Sequence, residues 1–290
     1  MPRASRTYKS AIDAGMGLLE ESGAGSARGD AKILLSSVLG IGRAELASKP
    51  AATLAAPQFR KFISLVGRRA KGEPVAMILG EKEFYGRMFR IGKSTLVPRP
   101  DSETLIDAAM AALPDRRAKI RILDMGTGSG CLLLTLMAEY GNARGVGIDV
   151  SASALKFAYE NERALGLAGR AEFSRLDWRR PRKLNGRKFD LIISNPPYVK
   201  SGDISRLARD IRDFEPAAAL DGGADGLDCY RAIAAASLGE GLLAPRGRVF
   251  LEIGKGQSAR IGKIFAAAGF EFNAAYNDLA GITRVLEFGA

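Results

Sequence analysis

The residue types with the clearest chemical purpose stand in one short stretch, Asn195-Pro196-Pro197-Tyr198. The asparagine offers an amide oxygen and an NH2 group, and no proline N–H competes for the carbonyl groups nearby. The tyrosine adds a flat ring. Two acceptors and an aromatic face suit a planar nitrogen that carries two hydrogens, as in a side-chain amide or a nucleobase amine. By itself the stretch also fits a plain turn that ends a strand, because Asn-Pro commonly opens turns.

A glycine-rich turn lies upstream, at Gly126-Thr127-Gly128-Ser129-Gly130. It follows a predicted strand over 119–124 and precedes an apolar helix predicted over 130–140. Glycines at such a strand-to-helix turn let the backbone approach a ligand closely. The spacing G-x-G-x-G differs from the G-x-G-x-x-G of dinucleotide-binding proteins, so pyrophosphate binding is disfavoured.

Acidic and aromatic side chains follow the next two predicted strands. Asp149 stands 23 residues after Gly126, near the spacing expected of an acid that binds ribose hydroxyl groups. Asp177 and Trp178 follow the third strand, where they could bracket an adenine by a hydrogen bond and by packing. Trp178 is the only tryptophan of the chain, and it is equally well explained as a structural anchor.

An adenosyl cofactor that faces an amide-type substrate accounts for these four strand edges together. The glycine turn contains no phosphate-binding lysine, which favours S-adenosylmethionine. The chain has no histidine, which excludes the usual catalytic triads and histidine-ligated metal sites, and two cysteines cannot build a zinc site. The chemistry is therefore expected to use backbone groups, amides, carboxylates and an organic cofactor, without a metal.

The composition is that of an ordinary globular protein, with 47% hydrophobic and 26% charged residues. No apolar run approaches the ~20 residues that span a bilayer, and the two cysteines are too few for a disulfide framework, so we expect a cytoplasmic protein away from membranes. The net charge is +11, of which +6 falls in residues 1–75. This basic end indicates an acidic partner, a nucleic acid or a ribonucleoprotein surface, although a solvated basic surface is also consistent with it.

The elements that must position the site alternate between strand and helix, which is typical of a parallel sheet. Strands are predicted near 119–124, 144–149, 170–174, 188–194 and 247–253. Helices are predicted near 130–140, 152–165, 202–212, 226–240 and 258–268, and a final β pair near 270–276 and 283–288. Upstream, the aromatic residues around Gly86 predict a hairpin.

Residues 8–75 predict a helical bundle. Asp30 is expected to cap a helix that Gly40 ends, and Pro57 suits the first turn of another helix. One face of that last helix is apolar, and the other carries basic side chains, at Arg60, Lys61, Arg68, Arg69 and Lys71. No residue type in this bundle indicates catalysis, so we expect a docking domain.

With these motifs the sequence resembles the class I S-adenosylmethionine-dependent methyltransferases, and more closely the release-factor glutamine methyltransferase family (HemK/PrmC). The Asn-Pro-Pro-Tyr element alone is shared with adenine-N6 DNA methyltransferases, whereas the elements before residue 101 are far more specific. The stretches that carry the resemblance are Gly80-Glu81-Lys82-Glu83-Phe84-Tyr85-Gly86, Pro98-Arg99-Pro100, Gly126 to Gly130, Asn195 to Tyr198, Glu215-Pro216, Ala219-Leu220, Gly222-Gly223 and Leu251-Glu252-Ile253-Gly254.

The resemblance implies an α/β class I methyltransferase fold with a Rossmann-like, seven-stranded, mostly parallel sheet over 101–290. It also implies a helical substrate-docking domain over 1–75 and a β-hairpin linker over 76–100. The implied reaction is methylation of the side-chain amide nitrogen (N5) of glutamine in the Gly-Gly-Gln motif of class I peptide chain release factors. These would be the protein partners, met in the cytoplasm and near the ribosome.

The family's site residues fall on matching positions of this chain. Cofactor contacts are expected from Gly126, Thr127, Gly128, Ser129, Gly130, Asp149 and Trp178, completed by Asp177 and Asn195. The glutamine is expected to bind at Asn195, Pro196, Pro197 and Tyr198, with Asn195, Pro196 and Tyr198 carrying the chemistry. The alternatives are a ribosomal-protein glutamine methyltransferase, a DNA adenine-N6 methyltransferase and a non-catalytic RNA-binding module. A target-recognition domain for DNA is disfavoured because 75 helical residues are few for one.

Overall fold

The computed structural model describes residues 6–179, 184 and 186–289. Within these residues the α-helices, numbered α1 to α11 in chain order, are Tyr8–Glu21, Ala27–Leu39, Arg43–Ser48, Ala56–Ala70, Val75–Leu79, Glu103–Ala112, Cys131–Glu139, Ala152–Ala164, Arg209–Arg212, Asp228–Ala234 and Ser258–Ala267. The strands, β1 to β9, are Glu81–Phe84, Arg87–Arg90, Arg121–Met125, Arg144–Asp149, Ala171–Arg175, Phe189–Ser194, Leu243–Glu252, Glu271–Asn277 and Thr283–Gly289. The chain divides into two compact units, residues 1–80 with 208–214 and residues 81–207 with 215–290.

The first unit is built from helices α1 to α5 and α9. Helix α1 begins after Thr7, whose hydroxyl accepts a hydrogen bond from the backbone N–H of Ser10 at 3.1 Å. Gly40 ends α2 in the left-handed conformation with φ 67°, and Pro57 lies in the first turn of α4, as predicted. The unit has a hydrophobic core of its own, whose fully buried members include Leu19, Leu34, Leu35, Phe62 and Val66.

The prediction that Asp30 caps a helix is wrong. Helix α2 begins at Ala27, so Asp30 lies inside its first turn. Its carboxylate forms an ion pair with Arg69 of α4 at 2.7 Å, and the two side chains are only 11% and 14% exposed. Asp30 therefore stabilises the contact between α2 and α4 and does not cap a helix.

Seven strands of the second unit form one sheet in the order β5-β4-β3-β6-β7-β9-β8. Strands β3 to β7 pair in parallel, whereas β9 is antiparallel to both of its neighbours, β7 and β8. The predicted seven-stranded, mostly parallel sheet is confirmed. The strand order reverses direction between β3 and β6, and open α/β sheets bind ligands outside the carboxyl ends of the strands at such a point.

Both faces of the sheet are covered, which explains the continuous apolar runs of its central strands. Along β6, Leu191 and Ile193 pack into one hydrophobic core, and Ile192 packs into another. All three side chains are fully buried. Successive side chains of a strand point to opposite faces, so a strand buried on both faces needs apolar residues at every position.

The hairpin predicted upstream of the sheet is formed by β1 and β2. Tyr85 and Gly86 at its turn have φ of 51° and 71°, as in two-residue turns of type I′. Asn161 of α8, which is fully buried, ties this hairpin to the glycine turn. Its amide group donates to the carbonyl oxygens of Arg90 at 3.0 Å and Ser129 at 2.8 Å, and its oxygen accepts from the backbone N–H of Arg90 at 2.7 Å.

The helix predicted over 202–212 consists instead of two shorter pieces. A 3-10 helix covers Ser201–Arg206, and α9 covers Arg209–Arg212. Leu207 and Ala208 between them have extended backbones, with ψ of 155° and 145°, which interrupts the helix. Among the described residues, no helix has both the length and the apolar character required to cross a bilayer.

Candidate active site

A cavity of about 630 Å³ lies in the second unit, where β3, β4, β5 and β6 end. Its volume is within the range of small-molecule sites. The predicted site residues that line it are Gly126, Thr127, Gly128, Ser129, Asp149, Asp177, Trp178, Asn195 and Pro197. Three other predicted residues, Gly130, Pro196 and Tyr198, are not part of this lining within the described chain.

The glycine turn after β3 needs its glycines for conformation and for space. Gly126, Gly128 and Gly130 have φ of 84°, 55° and 80°, in the left-handed region that favours glycine. A Cβ atom on Gly126 would lie 2.6 Å from the ring of Trp178. The backbone N–H groups of Gly126 and Thr127 donate to the carbonyl oxygen of Ile148 at 2.9 and 3.0 Å. The turn is thereby attached to β4 and presents its backbone to the cavity.

Asp149, at the end of β4, is bonded to backbone groups on both sides. One carboxylate oxygen accepts from the N–H of Gly128 at 2.9 Å, and the other accepts from the N–H of Ser151 at 2.8 Å. Burial raises the pKa of Asp149, while these backbone N–H groups, with that of Val150, act in the opposite direction. A carboxylate has about four lone-pair sites, so acceptor capacity remains for hydroxyl groups of a ligand.

Trp178 and Asp177 reach the cavity from the segment after β5. The indole ring of Trp178 packs against the core that contains Ile192 and also lies over Gly126. It therefore acts as a structural anchor and as a wall of the cavity at once. Asp177 accepts from the backbone N–H of Arg179 at 2.9 Å and forms an ion pair with the Arg179 side chain.

The Asn195 stretch leaves the sheet beside the glycine turn. The hydroxyl of Ser194, at the end of β6, donates to the carbonyl oxygen of Met125 at 2.5 Å and joins the two strand ends. The side-chain nitrogen of Asn195 donates to the hydroxyl oxygen of Ser102 at 3.2 Å. The ring of Tyr198 packs against the sheet core, and its carbonyl oxygen accepts from the side chain of Gln257 at 3.0 Å.

Two buried carboxyl groups lie in the same part of the sheet, Asp124 near the end of β3 and Glu252 at the end of β7. Each has one oxygen, Oδ1 and Oε2 respectively, without a hydrogen-bond partner among the described residues. Burial raises the pKa of each group to about 7, from 3.8 for Asp124 and from 4.5 for Glu252. The other oxygen of Asp124 accepts from the hydroxyl of Thr127 at 2.7 Å.

The sequence-based selection of site residues missed Asp124 and Glu252, and also Ser102 and Arg99. Both acids stand inside otherwise apolar strand runs, and that interruption is a signal in the sequence for a buried polar function. Ser102 and Arg99 line the cavity, and Arg99 forms an ion pair with the buried carboxylate of Glu215. Nothing in the local sequence pairs these residues, because their partners are far away along the chain.

The arrangement suits the transfer of a small group between two organic molecules. A backbone turn, a carboxylate and an indole ring gather at one side of the cavity, and the Asn195 amide lies beside them. Among the described residues, no group of three or more His, Cys, Asp or Glu side chains is placed to hold a metal ion. The polar side chains that line the cavity carry amide, carboxylate, hydroxyl, guanidinium and thiol groups.

Comparison with known proteins defines the class first. Residues 116–234 match a family model described as a methyltransferase domain. The catalytic domain of hMettl16, solved in complex with MAT2A 3′UTR hairpin 6, has a TM-score of 0.56 and 14% identity over 83% of this chain and 85% of that one, which shows a shared fold. The sheet, the glycine turn and these matches define a class I methyltransferase.

The narrower family follows from the relatives. Residues 10–80 match the model described as the PrmC N-terminal domain. The release factor glutamine methyltransferase of Agrobacterium fabrum is 40% identical over 273 residues, 93% of each chain. That of Bradyrhizobium diazoefficiens is 41% identical over 260 residues, 89% of this chain and 86% of its own. The chain belongs to the release factor glutamine methyltransferase family.

Proposed function

We propose that this enzyme transfers the methyl group of S-adenosylmethionine to the side-chain amide nitrogen of the glutamine in the Gly-Gly-Gln motif of class I peptide chain release factors. The family to which the chain belongs supports the substrate. The observation that carries the chemistry is the position of Asn195, which lines the same cavity as the glycine turn and Asp149.

The residues at the carboxyl ends of β3 to β5 fit an adenosyl cofactor. Because Gly126 has no Cβ atom, the cofactor can come close to the backbone at this position. Asp149 retains lone pairs that can accept hydrogen bonds from ribose hydroxyl groups. Trp178 supplies an apolar wall for a flat base. When bound, the sulfonium supplies a methyl group that is already activated, so the protein mainly has to position the acceptor.

The amide nitrogen of glutamine is a poor nucleophile because its lone pair is delocalised into the carbonyl group. The side-chain oxygen of Asn195 accepts one N–H of the substrate amide, and the backbone carbonyl of Pro196 accepts the other. Two acceptors raise the electron density on the nitrogen and orient its lone pair. Tyr198 packs along the amide plane. The nitrogen becomes more acidic as it bonds to carbon, so the proton can leave without a strong protein base.

Recognition of the release factor must extend beyond one glutamine in an exposed loop. We assign this to residues 1–75, whose net charge of +6 supplies an electrostatic attraction. Residues 76–100 would link this docking domain to the methyltransferase domain over 101–290. Release factors act in translation, which places the enzyme in the cytoplasm and near the ribosome under the same proposal.

The direct test is mass spectrometry of a purified release factor after incubation with the enzyme and S-adenosylmethionine. We expect one added methyl group on the Gly-Gly-Gln glutamine. Asn195→Ala should remove most turnover and leave cofactor binding nearly intact, because a preorganised polar group acts chiefly on the transition state. Asn195→Asp should retain more turnover than Asn195→Ala, since a carboxylate can still accept the substrate N–H.

Ribosomal proteins and adenine-containing DNA serve as competing substrates in the same assay. Methylation of either one, with no methyl group on the release factor, would overturn the proposed function. Near-normal turnover by Asn195→Ala would show that another residue holds the substrate amide.

A further inference from the structure

The register of the sheet brings a buried acid next to Asn195. Strands β6 and β7 run in parallel with Ser194 opposite Leu251, so the next residues along the chain are Asn195, directly after β6, and Glu252, the last residue of β7. Glu252 is 2% exposed, and its Oε2 has no hydrogen-bond partner among the described residues. It does not line the cavity, so any influence on the substrate must pass through a neighbour.

Ser102 provides that connection. Its oxygen accepts from the side-chain nitrogen of Asn195 at 3.2 Å, and an interaction of its hydroxyl with the carboxyl group of Glu252 acts to lower the pKa of that acid. Ser102 is itself 3% exposed. A hydroxyl has only one hydrogen, and an ionised carboxylate can only accept. If the hydrogen of Ser102 is given to the ionised carboxylate of Glu252, Ser102 can only accept from Asn195, which is the direction of the bond in the structure.

The direction of the hydrogen bond between Asn195 and Ser102 decides which end of the Asn195 amide can bind the substrate. The oxygen and the NH2 group have nearly the same size, so a hydrogen-bond partner must distinguish them. With the nitrogen held by Ser102, the oxygen remains for the substrate. A reversed amide would present a donor to a substrate N–H, and the two groups would not bond.

The two arginine side chains that interact electrostatically with Glu252 form their ion pairs with other acids. Arg284 forms ion pairs with Asp101 and Asp278, each at 2.8 Å, and Arg99 forms one with Glu215. The hydroxyl of Tyr230 donates to the backbone carbonyl of Glu252 at 2.9 Å rather than to its side chain. Among the described residues, the titratable and charged groups that interact electrostatically with Glu252 include Arg99, Asp101, Cys131, Tyr198, Tyr230 and Arg284.

We propose that Glu252 is a positioning residue for methyl transfer, and that in its ionised form it holds Asn195, through Ser102, with the amide oxygen directed to the substrate. The inference rests on the proposed function, in which Asn195 is the acceptor for the glutamine amide. Protonated Glu252 can donate to Ser102, which frees the Ser102 hydrogen to bond the other end of the Asn195 amide. Since burial raises the pKa of Glu252 to about 7, turnover depends on pH in that range.

The test uses full-length Glu252→Gln, Ser102→Ala and the double variant, with Glu240→Gln as a control on an exposed glutamate outside the cavity. Each single variant should lower kcat by roughly 10- to 100-fold with little change in the Kd for S-adenosylmethionine. The double variant should be no worse than either single one, because both interrupt the same chain of hydrogen bonds. The wild-type kcat should rise with pH through about 7, and Glu252→Gln should lose that dependence.

A second measurement separates this inference from the proposed function. The side-chain NH2 signals of Asn195, followed by 15N NMR without substrate, should shift with pH near 7 in the wild type and stay constant in Glu252→Gln. If the wild type is active and Glu252→Gln has the same kcat and the same pH profile as the wild type, the positioning role is overturned. Absence of wild-type turnover would count against the proposed function alone, and constant Asn195 signals in the wild type would then overturn the positioning role independently.

Discussion

The carboxylate of Asp149 accepts a hydrogen bond from the backbone N–H of Gly128 at 2.9 Å. This contact joins the end of β4 to the glycine turn after β3, so two predicted parts of the cofactor site form one hydrogen-bonded unit. Under the proposed function, Asp149 would therefore act on the cofactor both as a hydrogen-bond acceptor and as a support for the turn beside it.

Asp149→Ala should weaken S-adenosylmethionine binding by roughly 1–3 kcal/mol, the usual loss for a charge-assisted hydrogen-bonding group. Isothermal titration calorimetry measures this directly. Glu240→Ala, which removes an exposed carboxylate outside the cavity, is the matched control and should bind normally. Equal affinities for the two variants would remove Asp149 from the cofactor site.

Gly222 is expected to be intolerant of a side chain. A Cβ atom there would lie 2.8 Å from the carbonyl oxygen of Pro197 and 2.9 Å from the Cα of Tyr198, which are backbone atoms of the proposed amide-binding stretch. Gly222→Ala should displace this stretch and lower kcat on the order of 10- to 100-fold. Gly202→Ala, where a Cβ meets nothing within 4 Å, is the control. Similar kcat values for both variants would show that displacement of Pro197 and Tyr198 does not affect methyl transfer.

The buried carboxyl groups of Asp124 and Glu252 predict a pH dependence of stability. Burial raises the pKa of both to about 7, so between about pH 4 and 7 the folded state binds more protons than the unfolded state. Their contribution to stability is fully present below their unfolded pKa values and is lost as the pH rises through 7.

Glu252→Gln removes one of these two groups. Between pH 5 and 8 this variant should therefore gain stability relative to wild type, its free energy of unfolding rising by up to about 3 kcal/mol above that of the wild type. Urea unfolding at several pH values gives the difference between the two proteins. A constant difference would show that Glu252 has the same pKa in the folded and unfolded states.

The basic side chains of α4, and of Lys71 directly after it, differ in whether they are free to contact a partner. Arg68 forms an ion pair with Glu73, and Arg69 forms one with Asp30, whereas Arg60, Lys61 and Lys71 are exposed and form no ion pair among the described residues. Only these last three are suited to an electrostatic contact with a partner. Charge reversal at Arg69 would test the stability of the helical unit instead.

The double variant Arg60→Glu/Lys61→Glu should raise the KM for whole release factor, roughly tenfold at low salt, mostly by slowing association. The effect should shrink as salt is added. A short Gly-Gly-Gln peptide should be methylated as by the wild type. Arg117→Glu/Lys119→Glu has the same change in net charge on exposed residues of the other unit and should keep a normal KM. Equal KM values for the two double variants would show that Arg60 and Lys61 belong to a solvated surface that does not bind the release factor.

The site residues that could be predicted from sequence are those whose role follows from local pattern. Leu191 to Ile193 are apolar at every position because the strand is buried on both faces, and Pro196 and Pro197 mark the point where it ends. The glycine turn is recognisable because its conformation requires glycine at Gly126, Gly128 and Gly130. Since parallel strands end at one edge, residues that follow different strands can be expected to meet there without knowledge of the strand order.

The tertiary structure alone decided the partners of these residues. Asp30 is a residue type that commonly caps helices, yet it lies inside the first turn of α2 and its partner is Arg69 of another helix. The pairing of Asn195 with Ser102 and the place of Glu252 depend on the register between β6 and β7 and on where the chain re-enters the sheet. A hydrogen bond requires atoms within about 3 Å. Local sequence determines which element forms, but only the packing of distant elements brings their side chains to that distance.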